Sequence, residues 1–503
     1  MRLFIFSLIL FFFSFPQQWG NFFGLMWVAL VPLLWFLEER RDAPRRQFIW
    51  LCGFYGLFFL GLFWMSPRSV VFRLADGWEG IKFGLLYLQC ILGYAVTFWL
   101  ALRLKEKLPL WLECLVFPIC FVVYEFLASV FPEGFPLFTG VTQVGNIYFL
   151  QSVSIFGPWG ITFLLYLSNY LIFKAGFVWW CGWVWGDADQ RQRRLGLQLL
   201  LILLVVWSLN YAYGWVRVEN GKRMNDVKRP TAKICLVQPN LNFADSILSG
   251  SMDYFYNRGL RRLVYLTQPD KDCDLVIWPE LALLRSIVQT PSRVFDQFAA
   301  SLHCPLLFGS SYYNYQQGGM QNSIIVLSEL GLVRDRYVKV KLFPKFEGKN
   351  YTKGGELRPL RVSPKLPAVG GMLCFESLLP QMARELRREG AQFLVVLAND
   401  VWFGDTAWPW LHLGYMVFRA IENGGYGIHL GNLGPSVIFS PYGEAMTQIP
   451  FGKMACANVE IGILPQPTLY LRFGDWFAYL CIFGVVVIVG YRLVRGAKFG
   501  KGG

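Results

Sequence analysis

Long apolar runs alternate with short basic segments through the first 216 residues, and one more apolar run lies near the C-terminus. The runs fall at about 20–37, 48–65, 83–103, 110–130, 160–181, 196–215 and 475–493. Each is close to the ~20 residues a helix needs to cross a hydrocarbon core. A shorter run at 3–15 opens the chain. No small-x-small cleavage site follows it, and Ser14-Phe15-Pro16-Gln17-Gln18 reads as a tight turn. The pattern therefore predicts about eight membrane helices: seven within residues 1–216 and one within 473–503.

Between them, residues 217–472 change character. Short β-branched or apolar runs occur at Ala232–Val237, Leu275–Ile277, Leu306–Phe308, Ser323–Leu327, Gly371–Cys374 and Phe393–Leu397. Helical patterns such as Asp253–Thr267 and Leu379–Glu389 lie between several of them. Strands alternating with helices predict an α/β layered domain. No Gly-rich phosphate loop accompanies it, which argues against nucleotide binding.

Composition agrees with a membrane protein: 55% of residues are hydrophobic and only 16% charged. The net charge of +14 would suit nucleic acid, but its position argues otherwise. The excess sits in clusters between apolar runs, at Arg40/Arg41/Arg45/Arg46, Arg103/Lys105/Lys107, Arg191/Arg193/Arg194 and Arg492/Arg495/Lys498/Lys501. Loops retained in the cytoplasm carry such clusters, and no basic-aromatic module is present. With the N-terminus inside, all four clusters fall inside, and the loop at about 131–159 holds no Lys or Arg. Seven crossings then place 217–472 outside the cytoplasm, and the eighth returns a basic tail.

Eleven Cys and three His show no paired metal-ligand spacing, so no metal centre is expected. Six Cys lie in apolar runs. The other five are Cys235, Cys273, Cys304, Cys374 and Cys456, an odd number that leaves at least one thiol unpaired within the domain. Cys273 and Cys304 are candidates for a bridge.

Three motifs stand at the ends of predicted strands, where α/β folds commonly place reactive groups. Val276-Ile277-Trp278-Pro279-Glu280 delivers a carboxylate. Tyr337-Val338-Lys339 delivers an amine and continues through Lys341, Pro344 and Glu347. Gly370-Gly371-Met372-Leu373-Cys374-Phe375-Glu376 delivers a thiol after small residues. A thiol needs a base to become the nucleophilic thiolate, and a partly desolvated Glu can serve. An ammonium can hold the oxyanion of a tetrahedral intermediate. His412 is a rival base that spacing alone does not exclude, though it reads better as a hydrogen-bonded structural histidine. Lys341 and Lys345 compete with Lys339 as the amine, and a lone Cys374 would read as a buried structural thiol.

In their order along the chain, Glu280, Lys339 and Cys374 resemble the nitrilase superfamily. With the apolar runs, the whole chain resembles the apolipoprotein N-acyltransferase family. Further local matches are Asn399-Asp400-Val401-Trp402-Phe403-Gly404-Asp405, Arg419-Ala420-Ile421-Glu422 and Phe156-Gly157-Pro158-Trp159-Gly160. Three departures stand out: Lys345-Phe346 before Glu347, Phe375 after the thiol, and Gly431-Asn432-Leu433-Gly434 in place of an Asn-rich stretch.

The resemblance implies a multi-domain membrane protein, an α-helical transmembrane bundle carrying a nitrilase-like α-β-β-α sandwich. It implies catalysis by Glu280, Lys339 and Cys374, supported by Glu347 and Glu376, with Phe375, Asn399, Trp402 and Phe403 as substrate-binding candidates. No cofactor is implied. The implied reaction moves an acyl chain from a phospholipid, through a Cys374 thioester, to the amine of a diacylglyceryl-modified apolipoprotein. The implied setting is a bacterial inner membrane with the catalytic domain on the periplasmic side. Two rival readings are a membrane-tethered nitrilase-like amidase or lipid hydrolase, and an inactive transporter or scaffold. Few charges near the centres of the spans argue against transport.

Overall fold

The computed structural model describes residues 1–64, 77–131, 133–184, 190–225, 230–241, 252–267, 273–283, 289, 293–344, 346–404, 406–463 and 466–499. The chain forms two compact units. Residues 1–65, 83–219 and 475–503 make up the first, and residues 220–474 form the body of the second.

The first unit is helical. Its elements are α1 (Arg2–Ser14), α2 (Val31–Glu38), α3 (Pro44–Trp64), α4 (Gly77–Leu104), α5 (Leu110–Val130), the short α6 (Ile147–Leu150) and α7 (Val153–Phe156), α8 (Pro158–Val184), α9 (Gln190–Asn225) and, near the C-terminus, α15 (Trp476–Phe499). Among the described residues, α4, α5, α8, α9 and α15 hold segments long and apolar enough to cross a bilayer. Leu197, Leu201, Ile202, Leu204, Val205 and Leu209 on α9 are exposed, as are Leu480, Phe483, Val486 and Val487 on α15. Apolar stripes of that size are stable against lipid, not water. The chain is a membrane protein.

One expected span is different. Residues 20–37 do not form a single helix: a 3-10 turn at Phe23–Trp27 and the eight-residue α2 replace it. Pro32 fits the first turn of α2, where its missing N–H costs nothing. The freed backbone groups have partners. Leu30 N–H donates to Asn169 Oδ1 at 2.8 Å, and Asn169 Nδ2 donates to Met26 O at 2.7 Å. A broken helix at membrane depth is tolerated when protein groups satisfy its backbone in this way.

The second unit is two sheets packed face to face. Its strands are β1 (Thr231–Gln238), β2 (Leu275–Leu283), β3 (Leu306–Asn314), β4 (Gly319–Leu327), β5 (Val333–Val338), β6 (Val369–Leu373), β7 (Phe393–Ala398), β8 (Gly427–Gly431), β9 (Ser436–Phe439), β10 (Ala445–Ile449) and β11 (Ala455–Gly462). They run β11-β1-β2-β3-β4-β5 in one sheet and β10-β9-β8-β7-β6 in the other. Strand alternation turns Ile234, Leu236, Ile277, Leu307 and Ile324 of the first sheet into one buried core with Leu373, Val395, Leu397, Ile428 and Leu430 of the second. The other face of the first sheet packs a second core that includes Leu260 and Leu263 of α10 (Met252–Thr267) and Phe295 and Phe298 of α11 (Arg293–Ser301). Helices α12 (Pro380–Arg388) and α13 (Trp408–Asn423) contact strands of the second sheet, and the short α14 (Leu469–Phe473) closes the unit. The arrangement is the expected α-β-β-α sandwich.

Candidate active site

Three strand ends converge. In β2, the pairing with β3 slips between Trp278 and Leu283, which oppose Phe308 and Ser310. Pro279 sits in that slip, where its lack of an N–H already breaks the ladder. The bulge carries Glu280, and Leu281 beyond it holds a left-handed φ of 50°. Gly309 of β3 makes room: a Cβ there would lie 2.5 Å from the Glu280 Cα and 2.7 Å from Leu281 N.

Lys339 follows β5 and donates its N–H to Asn322 O of β4 at 2.9 Å. Its side chain is 1% exposed and reaches Glu347 Oε1 at 2.7 Å and Glu280 Oε1 at 3.4 Å. Asn322 bridges both carboxylates, donating from Nδ2 to Glu280 Oε1 at 2.8 Å and Glu347 Oε1 at 3.4 Å. The other Glu347 oxygen accepts the Phe343 N–H at 2.7 Å. Burial opposes a charged Lys339, but the Glu347 and Glu280 carboxylates overcome it and raise its pKa. The amine is a fixed ammonium.

Burial raises the pKa of Glu280; Lys339 pulls the other way and Glu347 reinforces the rise. Among the described residues no hydrogen bond ends on Glu280 Oε2, which leaves that oxygen able to take a proton.

Cys374 follows β6 directly and begins a 3-10 turn, Cys374–Leu378, with φ at 46°. A non-glycine residue in that region is strained, and such strain clusters at functional positions. The turn is held from several sides. Glu376 accepts N–H bonds from Leu373 at 2.8 Å, Val340 at 2.8 Å and Lys341 at 3.0 Å, and the Tyr337 hydroxyl at 2.6 Å. Glu376 thus ties the lysine segment to the thiol segment instead of facing the reacting groups. Arg419, paired with Glu422 at 2.7 Å, donates to Ser377 O at 3.3 Å. Burial raises the Cys374 pKa well above the ordinary thiol value, Glu280 adds to this, and Lys339 opposes it. The resting group is the neutral thiol.

His412 contacts the same turn. Its Nε2 lies 3.0 Å from Cys374 O and 2.9 Å from Ser377 Oγ, and its Nδ1 lies 2.9 Å from Asp400 Oδ1. Burial works against a charged ring, yet Asp400 outweighs it and raises the His412 pKa. Both ring nitrogens are engaged, Nδ1 by Asp400 and Nε2 by the turn, so neither is free to take the Cys374 proton. Cys374, Asp400 and His412 bring ligand atoms within 4.8 Å of one another. With both imidazole nitrogens already bonded to protein, the set is a hydrogen-bonded brace for the turn.

The substrate-binding candidates divide. Phe375 packs on Phe343 at 5.4 Å between ring centroids, and Phe403 lies 6.5 Å from the same ring. Phe346 and Trp408 extend this aromatic wall. Asn399 is buried at the end of β7 with no hydrogen bond to its side chain among the described residues. The Trp402 side chain and Lys345 lie outside the described residues.

Residues 258–461 match the carbon-nitrogen hydrolase family, and residues 7–171 match the apolipoprotein N-acyltransferase N-terminal domain. The chain belongs to the apolipoprotein N-acyltransferase family. A Geobacter metallireducens protein named apolipoprotein N-acyltransferase is 26% identical over 516 residues, 96% of this chain and 93% of that one. The Thermotoga maritima protein of that name is 26% identical across 94% of this chain and 90% of its own. The Haemophilus ducreyi protein is 25% identical across 95% and 92%.

In this apolipoprotein N-acyltransferase family member, sequence reasoning missed Asn322 as the bridge between Glu280 and Glu347. Its only signal was an amide inside an otherwise apolar strand, Ser323–Leu327 and its flank. The Asp400–His412 brace was half visible, because both residues lie near the long Asn399–Asp405 motif.

Proposed function

We propose that the protein transfers an acyl chain from a phospholipid to the N-terminal amine of a diacylglyceryl-modified apolipoprotein, through a thioester on Cys374. The observation that carries this reading is a charge cluster of buried Glu280 and Lys339 with half-buried Glu347, beside a strained thiol, in a chain of this family. Glu280 accepts the Cys374 thiol proton as the sulfur attacks the donor's ester carbonyl. Lys339 faces the developing oxyanion, and Glu347 with Asn322 holds the ammonium in place. The intermediate collapses to the thioester; the lysophospholipid alkoxide leaves with the proton from Glu280. The acceptor amine then attacks the thioester, gives a proton to Glu280, and the amide forms as the Cys374 sulfur departs and is reprotonated. The wall of Phe343, Phe375 and Phe403 suits an acyl chain.

The outer-side placement of this domain in a bacterial inner membrane rests on the basic loop clusters. Mass spectrometry after incubation with phospholipid tests the chemistry. A hydroxylamine-sensitive acyl adduct on Cys374, discharged by a diacylglyceryl-cysteine peptide with N-acylated product, is expected. Discharge by water alone, leaving the peptide unmodified, would replace transferase with hydrolase; a folded protein that forms no adduct would end the thioester route.

A further inference from the structure

Four cysteines that the proposed chemistry does not use lie across neighbouring strands of one sheet. Cys235 is on β1 and Cys456 on β11, in a register that pairs Val237 with Cys456 and Cys235 with Asn458. A two-residue offset keeps both side chains on one face. Cys273 precedes β2 and Cys304 precedes β3, strands that join β1 through Cys235–Val276 and Val276–Leu306 pairs. All four belong to or pack against the core on the outer face of this sheet.

Their sulfurs are close. Cys235 Sγ and Cys456 Sγ are 2.9 Å apart, and Cys273 Sγ and Cys304 Sγ are 3.5 Å apart. A shift of about 1 Å closes the shorter gap to the ~2.0 Å of a disulfide bond. Each pair joins a half-exposed thiol to a buried one: Cys456 to Cys235, and Cys273 to Cys304. That asymmetry suits stepwise oxidation. The accessible thiolate attacks a disulfide-bearing oxidant and expels one thiol. The buried partner then attacks the mixed disulfide, expels the second thiol, and the protein disulfide remains. Two cysteine protons are lost, and the oxidant ends as a dithiol.

We infer that this domain carries two disulfides, Cys235–Cys456 and Cys273–Cys304, installed by thiol–disulfide exchange. The inference rests on the proposed outer-side placement, because such bonds persist in oxidising compartments. The first closes a loop of 221 residues and fastens the edge strand β11 to β1; the second closes 31 residues between the starts of β2 and β3. Cys374 is separate from this set and stays reduced for acyl transfer.

The test is peptide mapping of protein from acid-quenched cells, alkylated before any reduction. Linked 235–456 and 273–304 peptides are expected, with Cys374 alkylated, and reduction should lower the thermal midpoint by roughly 10 °C. Cys456→Ser should lose the first link, unfold earlier and keep acyl transfer. Four alkylated thiols would overturn the inference, as would a Cys235–Cys273 link, since Cys235 also hydrogen bonds Cys273. Acyl transfer and the sidedness of a membrane-impermeant label are read on the same cells. Free thiols on an active domain labelled from outside refute the disulfides alone; an inactive or inward-facing domain refutes the functional reading.

Discussion

Two buried carboxylates, one in each unit, differ in the company they keep. Glu125 on α5 is 1% exposed and Glu280 on β2 is 3% exposed. Glu125 is surrounded by neutral donors: Thr139 N–H at 2.8 Å, Thr139 Oγ1 at 2.6 Å, Tyr94 OH at 3.3 Å and Thr162 Oγ1 at 2.6 Å. Both its oxygens are occupied. Glu280 has one amide donor and one ammonium, both on the same oxygen. A carboxylate whose acceptors are all filled holds structure together. One with a charged neighbour and a free oxygen is equipped for proton transfer.

Exchanging each for its amide breaks the symmetry. Glu280→Gln should slow formation of the Cys374 adduct by roughly 10²- to 10⁴-fold while the domain stays folded. Glu125→Gln should cost about 1–3 kcal/mol of stability, because an NH2 replaces an acceptor among donors, and should leave the adduct rate nearly unchanged. Thermal melts and single-turnover acylation measure both. A stable Glu125→Gln protein without acylation would give Glu125 a chemical role and end the contrast.

Gly309→Ala sharpens the contrast by moving a carboxylate without deleting it. The new Cβ would crowd the Glu280 backbone at 2.5 Å, so the bulge must shift. A displacement of about 1 Å commonly costs on the order of 10²-fold in rate. Single-turnover acylation should fall by that order, with phospholipid binding retained. Unchanged kinetics would mean that the bulge does not set the position of the base.

The pH profile gives a smaller effect with a defined sign. Glu280 has a raised pKa, so its basic form, and with it acylation, is lost as pH falls through a value above the ordinary carboxylate range. Glu347 is one cause of that rise. Glu347→Gln should therefore move the acid limb to lower pH, along with a reduced plateau from a less firmly held Lys339. An acid limb that stays put would assign it to another group.

Much of this was legible from residue order. Glu280, Lys339 and Cys374 announced themselves because each motif is local and ends a strand. The layered domain was legible from alternating strands and helices. Pairings distant in sequence were not. The break within residues 20–37 is invisible to mean apolarity, since Asn169 satisfies it from 139 residues away at Leu30. Asn322 gains its meaning only when β4 lies beside the β2 bulge. The left-handed backbone at Leu281 and Cys374 has no residue signature, because neither is Gly or Asn. Glu376 was expected as a supporting residue, and what it supports shows only in the fold, where its acceptors are filled from Leu373, Val340, Lys341 and Tyr337.

That filling makes Glu376 the counterpart of Glu125 inside the catalytic domain, and the smallest prediction probes it. Tyr337→Phe removes one 2.6 Å hydroxyl bond and leaves the three backbone N–H donors. Burial raises the Glu376 pKa and the Tyr337 hydroxyl lowers it, so the loss should raise it further. The carboxylate stays anchored, so the expected cost is about 1 kcal/mol of stability and a rate change of only a few-fold. Glu376→Gln, by contrast, puts an amide NH2 among N–H donors and should loosen the link between the Lys339 and Cys374 segments. If Tyr337→Phe instead abolished the adduct while the melt stayed intact, the hydroxyl would belong with the reacting groups. Glu376 would then move from the structural carboxylates to the chemical ones, and filled acceptors would no longer separate the two kinds.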